Sequence, residues 1–387
     1  MINIKHYAKE HGSRNIPLTF EEAYDLGVYM IHGCRGNNLA QIQSIAILSL
    51  LHTKATYLWK FDERTEKRHG HRLPISAAEQ IAGICAAIFE HDIAESQFGF
   101  LNPNIPYAMD NSGMGGDLIV TANVSTIAAF IAAMAGVPMC KHGSPANADA
   151  ARHGSSDFVE LCGINTTASQ KEVESCVEKL RFGYTEAIDT RYKLIHLQTH
   201  RVAQLPHMND IIGPITNPLN PKILRRRMLG VNHLIPPVIA AQAYRIMNER
   251  GITFVEHGFF LRGFGDNGED SGMDELSICK GGTQIAELKN GKIKEYYLYP
   301  YDFGLITASE NSISPPEGMG KGKFSLSILK REITGAPARM IAANAALLLY
   351  LAGKSDDLSE CYREASEILS SGQAYEKMLA VKKALPK

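Results

Sequence analysis

Residues Asp110 to Gly136 read DNSGMGGDLIVTANVSTIAAFIAAMAG, with Gly113, Gly115 and Gly116 crowded ahead of a small-residue apolar run. Glycines between a strand and a helix let the backbone approach a ligand closely. The free N–H groups of the helix start and its partial positive charge then favour an anion, typically phosphate or pyrophosphate. Thr121, Asn123, Ser125 and Thr126 add side-chain donors at the same end, more than capping alone requires. The spacing fits neither a Walker loop nor a GxGxxG dinucleotide turn. Further on, CKHGSPANADAARHGSSD places Lys141 where it brings a full positive charge to phosphates, followed by a second loop, Gly154-Ser155-Ser156-Asp157. His142 reads equally well as a hydrogen-bonded structural histidine and as a substrate contact. Asp274-Glu275, at the end of a Gly-rich stretch, offers adjacent hard oxygen ligands of the kind Mg²⁺ takes while sharing substrate phosphate.

These groups need elements to hold them. Thr19-Phe-Glu-Glu22, Ser76-Ala-Ala-Glu79 and Ser169-Gln-Lys-Glu172 have capping-box spacing, and the first hundred residues read as helices. HGHRLPIS reads as a loop. From about Pro106, β-rich runs alternate with helices, which predicts an α/β layer. VESCVEKLRFGYTEAI is expected to be a helical insertion returning to the N-terminal helices, and LRGFGDNGEDSG a mobile loop. Helices close the chain, one stopping at Gly353 and the next starting at Asp357-Leu-Ser-Glu360.

Hydrophobic residues make up 45% of the 387-residue chain and charged ones 21%, enough for a large core and about two domains. A formal net charge of −1 gives no general attraction to nucleic acid or anionic membrane, and Arg225-Arg226-Arg227 reads as a solvated face. The seven cysteines show no zinc or redox spacing and are expected to be reduced thiols. MINIKHYAKEHG lacks the apolar segment of a signal peptide, and no run is long enough to span a bilayer, so a cytoplasmic location is expected.

In chain order, Gly113-Met-Gly-Gly-Asp117, Thr121, Asn123-Val-Ser-Thr126, Lys141-His-Gly143, Gly154-Ser155 and Asp274-Glu275 resemble the anthranilate phosphoribosyltransferase family. GPITNPLNP (213–221), VEHG (255–258), NAALLLYLAGK and ASEILSSGQAYEKM are similar to its later segments. The resemblance implies a small helical domain, 1–104 with helices from about 170–215 packing onto it. Beside it would stand a larger α/β domain, 105–387, with a mostly parallel sheet flanked by helices. Phosphoribosyl pyrophosphate would lie between them, contacted by Gly113, Gly115, Gly116, Asp117, Thr121, Asn123, Ser125, Thr126, Lys141, His142, Gly143, Ser144 and Ser155. Ser125, Asp274 and Glu275 would hold Mg²⁺. Lys141, Asp274 and Glu275 would carry the chemistry: phosphoribose moves to a small aromatic or heterocyclic amine, as in tryptophan biosynthesis. Family members are usually homodimers through the helical domain; no membrane or nucleic-acid partner is implied.

Three departures stand out. Met114 replaces the family's usual hydroxyl residue, Ser144-Pro145 stands where the family has Asn-Arg, and Arg201, with His200 and His207 as substitutes, is the candidate for the acceptor-binding arginine. The competing readings are a pyrimidine nucleoside phosphorylase, which has no need of magnesium, and a non-catalytic paralogue that binds nucleic acid or another partner.

Overall fold

The computed structural model of the chain describes residues 7, 9, 18–36, 38–58, 73–145, 154–200 and 209–387. Three helices come first: α1 (Phe20–Cys34), α2 (Asn38–Leu58) and α3 (Leu73–Ala87). The Thr19 hydroxyl accepts from Glu22 N–H at 3.2 Å, and Glu22 Oε2 accepts from Thr19 N–H at 2.9 Å, so α1 starts on the expected capping box. Ser76 does not cap α3, because that helix already runs from Leu73, with Pro74 in the first turn where its missing N–H costs nothing. Of the expected HGHRLPIS loop, 73–76 are therefore helical, and 69–72 lie outside the described residues.

Strands and helices then alternate: β1 (Ala108–Gly113), α4 (Val124–Met134), β2 (Met139–Gly143), α5 (Ser155–Leu161), α6 (Gln170–Leu180) and β3 (Phe182–Glu186). After α7 (Leu194–His200) and α8 (Asn209–Ile215) come β4 (Leu224–Gly230), α9 (Pro237–Glu249), β5 (His257–Gly265) and β6 (Gly268–Met273). The hairpin β7 (Thr283–Lys289) and β8 (Lys292–Leu298) turns at Asn290-Gly291, both with positive φ. After a short 3-10 turn (Pro300–Phe303) and a single helical turn (Glu310–Ile313) come the longer helices α10 (Lys321–Leu329), α11 (Ala336–Leu351), α12 (Leu358–Ser371) and α13 (Gln373–Ala384). One eight-stranded sheet gathers the strands in the order β3-β2-β1-β4-β5-β7-β8, with β6 paired to β5. It is parallel from β3 to β5 and antiparallel beyond.

Each face of the sheet carries its own apolar core. One joins α4, α11, α12 and α13 to the sheet; the other joins α1, α3, α8 and α9 to it. α4 is apolar all round because it is enclosed between sheet and helices, and its alanines allow the close approach. No helix among the described residues is long and apolar enough to cross a membrane.

Several expectations are corrected. Ser169 caps α6 as expected, yet α6 packs on β3 and α13 instead of the N-terminal helices. FGYTE continues as the edge strand beside β2, whereas α7 and α8 do lie against the N-terminal helices. The Gly- and Asp-rich LRGFGDNGEDSG is no loose loop but the antiparallel pair β5–β6, with Phe264 opposite Gly272. Arg225-Arg226-Arg227 is not a uniformly solvated face: alternation along β4 leaves Arg226 partly open beside Glu256 and drives Arg227 fully inside. All seven cysteines are free and buried.

Candidate active site at the switch of strand order

Strand order reverses between β1 and β4, where open α/β sheets form a crevice at the carboxyl ends of the strands. The last residues of the two strands are Gly113 and Gly230, paired in register. A Cβ on Gly113 would stand 1.9 Å from Asp274 Oδ2, and one on Gly230 would stand 1.5 Å from the Asp274 carbonyl oxygen. The glycine pair is therefore the slot that admits Asp274. Beyond it, Gly115 (φ +72) and Gly116 (φ +77) turn the chain through the left-handed region that glycine tolerates. Asn232, just past β4, donates from Nδ2 to the Gly115 carbonyl at 2.8 Å and holds that turn.

Carboxylates converge on the loop. Asp274 Oδ2 accepts from Gly115 N–H at 2.6 Å, and Asp117 Oδ1 accepts from Asp274 N–H at 2.7 Å. The Thr121 hydroxyl faces both oxygens of Glu275 at 3.4 Å. Asp117, Asp274 and Glu275 each present an oxygen, all within 4.8 Å of one another. α11 fixes the height of the pair, since Asn344 bonds both the N–H and the carbonyl of Leu276. Burial, then the charge of Asp274, pushes Asp117 up to about 8; burial and the Asp117 charge hold Glu275 well above the usual carboxylate range. Lys321, at the start of α10, offsets only part of this. Anionic oxygens this close repel unless a cation sits among them, and hard oxygens are what magnesium takes.

Lys141 lies on the neighbouring strand, 1% exposed. Its Nζ donates to Asn111 O at 2.6 Å and to Ser125 Oγ at 3.2 Å, which leaves one of its three N–H groups for a ligand. Burial pushes the amine down to about 7, against the pull of Asp274 and Glu275. Asn123 does not cap α4 with its side chain; Nδ2 donates to Gly154 O at 3.2 Å and Oδ1 accepts from Ser325 Oγ at 2.9 Å. That tie joins the helix start to the second loop and to α10. A Cβ on Gly143 would meet Ser155 Oγ at 1.9 Å, so only glycine lets this hydroxyl approach, steadied by Tyr184 Oη at 3.1 Å.

Comparison with known proteins gives the family and the fold. The sequence profile described as "Glycosyl transferase family, a/b domain" matches residues 106–375. The chain belongs to this glycosyl transferase family. An anthranilate phosphoribosyltransferase from Laribacter hongkongensis (strain HLHK9) is 32% identical over 274 residues, 70% of this chain and 74% of that protein. Another, from Halorhodospira halophila (strain DSM 244 / SL1), is 32% identical over 286 residues, 72% of this chain and 77% of that one. Among solved structures, anthranilate phosphoribosyltransferase from Thermus thermophilus is similar with a TM-score of 0.72, at 25% identity over 98% of this chain and 99% of that one. The Saccharomyces cerevisiae anthranilate phosphoribosyltransferase in complex with PRPP and Mg shares the fold, with a TM-score of 0.72 at 21% identity, covering 99% of this chain and 97% of that one.

Of the residues singled out in the sequence, the structure groups Gly113, Gly115, Gly116, Asp117, Thr121, Lys141, Asp274 and Glu275, with Asn123, Ser125, Gly143 and Ser155 linked to them by the contacts above. Thr126 is fully buried in α4, its hydroxyl without a partner among the described residues, so it faces the core. His142 points to the opposite face of β2 from Lys141. Asp110 Oδ2 and Gly213 O each lie 3.1 Å from one of its ring nitrogens, and burial pushes its pKa well below the ordinary value. Of the two readings of His142, the geometry is that of the structural histidine, so it is corrected as a donor contact. Ser144 is half-buried and lends its carbonyl to Ser156 N–H at 3.2 Å. Met114 is buried in the core shared with the N-terminal helices, which explains an apolar residue there. Arg201 and His207 lie outside the described residues, as does the His200 side chain. Sequence reading missed Asn232, Lys321, Ser325 and Asn344, which come from distant segments; only Gly320-Lys321 ahead of an apolar run gave a local signal.

Proposed function

We propose that this glycosyl transferase moves phosphoribose from phosphoribosyl pyrophosphate to anthranilate or a related small aromatic amine, in the manner of tryptophan biosynthesis. The observation that carries the reading is the carboxylate trio Asp117, Asp274 and Glu275 sharing one loop with the Gly115 amide and Lys141. The names of the similar proteins support the reaction, and the Saccharomyces cerevisiae complex with PRPP and Mg supports the donor and metal. Asp274 and Glu275, with Asp117 and the Ser125 hydroxyl, would hold magnesium, which supplies charge neutralisation for the departing pyrophosphate. The protein's own part is positioning and electrostatics: Lys141 and the loop N–H groups face the developing anion, and Ser155 fixes the ribose phosphate. No protein nucleophile is required.

The donor side lies wholly on residues 105–387, facing the helices of 1–104. Two copies pair through those helices, where Leu39 and Ile42 of α2 are each 62% exposed. A nucleoside phosphorylase reading has no use for three converging carboxylates, and a net charge of −1 gives a nucleic-acid-binding reading no general electrostatic support. The deciding experiment is a pyrophosphate-release assay with Mg²⁺, phosphoribosyl pyrophosphate and a panel of aromatic amines and bases. Release with anthranilate or one of its relatives is expected, and release dependent on none of them overturns the reading.

A further inference from the structure

One of the proposed cradle's own amides is already taken. Asp274 Oδ2 accepts from Gly115 N–H at 2.6 Å, and the carboxylate rests where Gly113 carries no side chain. The backbone of Asp274 leans on Gly230 in the same way, and its N–H is pinned by Asp117. A carboxylate oxygen on a loop amide is placed as a phosphate oxygen would be. We propose that Asp274 is a built-in occupant of the phosphate cradle, which excludes bare anions and gives way only to a diphosphate that arrives with a divalent cation. This selectivity rests on the donor reading above.

The physical basis is competition. A metal-free anion must displace a charged hydrogen bond and then sit against the displaced carboxylate. Losing such a bond costs about 1.5–3 kcal/mol, or about tenfold or more in affinity. A cation at the trio gives the same carboxylate a new partner, so the amide is released without leaving a charge uncompensated. Inorganic phosphate, too small to bridge amide and metal together, gains less.

Calorimetry with inorganic pyrophosphate and inorganic phosphate, with and without Mg²⁺, tests this on the full chain. Wild type is expected to bind pyrophosphate with Mg²⁺ and to bind it at least about tenfold more weakly without. Asp274→Ala is expected to bind metal-free pyrophosphate about tenfold more tightly than wild type does, and to gain little from Mg²⁺. Asp274→Asn, which keeps an oxygen for the Gly115 amide but loses the charge, is expected to fall between. It carries the comparison if circular dichroism shows the alanine variant unfolded. A folded variant with metal-free affinity equal to or below wild type overturns the proposal. Wild type that ignores pyrophosphate even with Mg²⁺ overturns the donor reading itself, so the two failures are told apart.

Discussion

Lys193 shows what a single residue contributes once its surroundings are known. It is fully buried, its Nζ has no hydrogen-bond partner among the described residues, and it sits 5.8 Å from the Tyr192 ring. Burial pushes the amine down to about 7, against the attraction of Asp92 and Cys85, and its charge in turn lowers His142. The unfolded lysine keeps its proton to about pH 10.4. Between those values the unfolded chain binds more protons, so this group makes stability rise with pH; at and below about 7 its cost is fully present. Lys193→Met is therefore expected to stabilise by about 1–3 kcal/mol near neutral pH, with a smaller gain at about pH 9.5. Urea midpoints at the two pH values check this, and an equal gain at both contradicts it. Nothing in the sequence around Lys193 announced this burial, any more than RRR announced that Arg227 would sit at 0% exposure beside Asp110. The Gly113–Asp117 loop stood out in the sequence for the opposite reason: glycine spacing records short, local backbone geometry, here the left-handed turn at Gly115 and Gly116.

The same division holds for elements. Capping boxes at Thr19 and Ser169 lie within four residues of sequence and were readable. β3 was not, because a strand is defined by the neighbour it pairs with, and FGYTE finds β2 only after the sheet assembles. The β5–β6 pair hid behind glycines and acids that resemble loop composition, although pairing places Asp274 at its exit. Besides its ladder with β2, β3 is held by stacking across the layers: Phe182 lies on Phe130 of α4 with ring centroids 4.5 Å apart, both fully buried. Phe130→Ala should cost about 3–5 kcal/mol, from lost burial and the cavity left behind. Chemical denaturation measures the loss. A cost under about 1 kcal/mol would mean that the Phe130–Phe182 stack adds little to the ladder with β2 in holding β3.

At the scale of the whole molecule, the sheet separates two cores, and the candidate site sits at its rim, at the switch of strand order. α9 and Met114 belong to the core that includes the N-terminal helices, so a change in those helices reaches the loop through packing. α2 is the element this leaves open. Its inner side carries the buried Ile47, Leu48 and Leu51, while Leu39, Ile42 and Ala46, at helical spacing, face outward. Two large apolar side chains one turn apart on an exposed helix mark an association surface more than a solvated one. If two copies bury this stripe against each other, a charge on it must be desolvated on both sides of the symmetric contact. Leu39→Lys with Ile42→Glu is therefore expected to shift sedimentation from dimer to monomer at micromolar concentration. The thermal midpoint should fall as the helices lose a partner. Metal-dependent pyrophosphate binding should stay within about twofold of wild type, because the proposed cradle draws on Gly115, Ser125, Lys141, Asp117, Asp274 and Glu275, all of one chain. An unchanged dimer would place the contact elsewhere. A monomer that binds no pyrophosphate would show that α2 steadies the Gly113–Gly116 loop through the shared core.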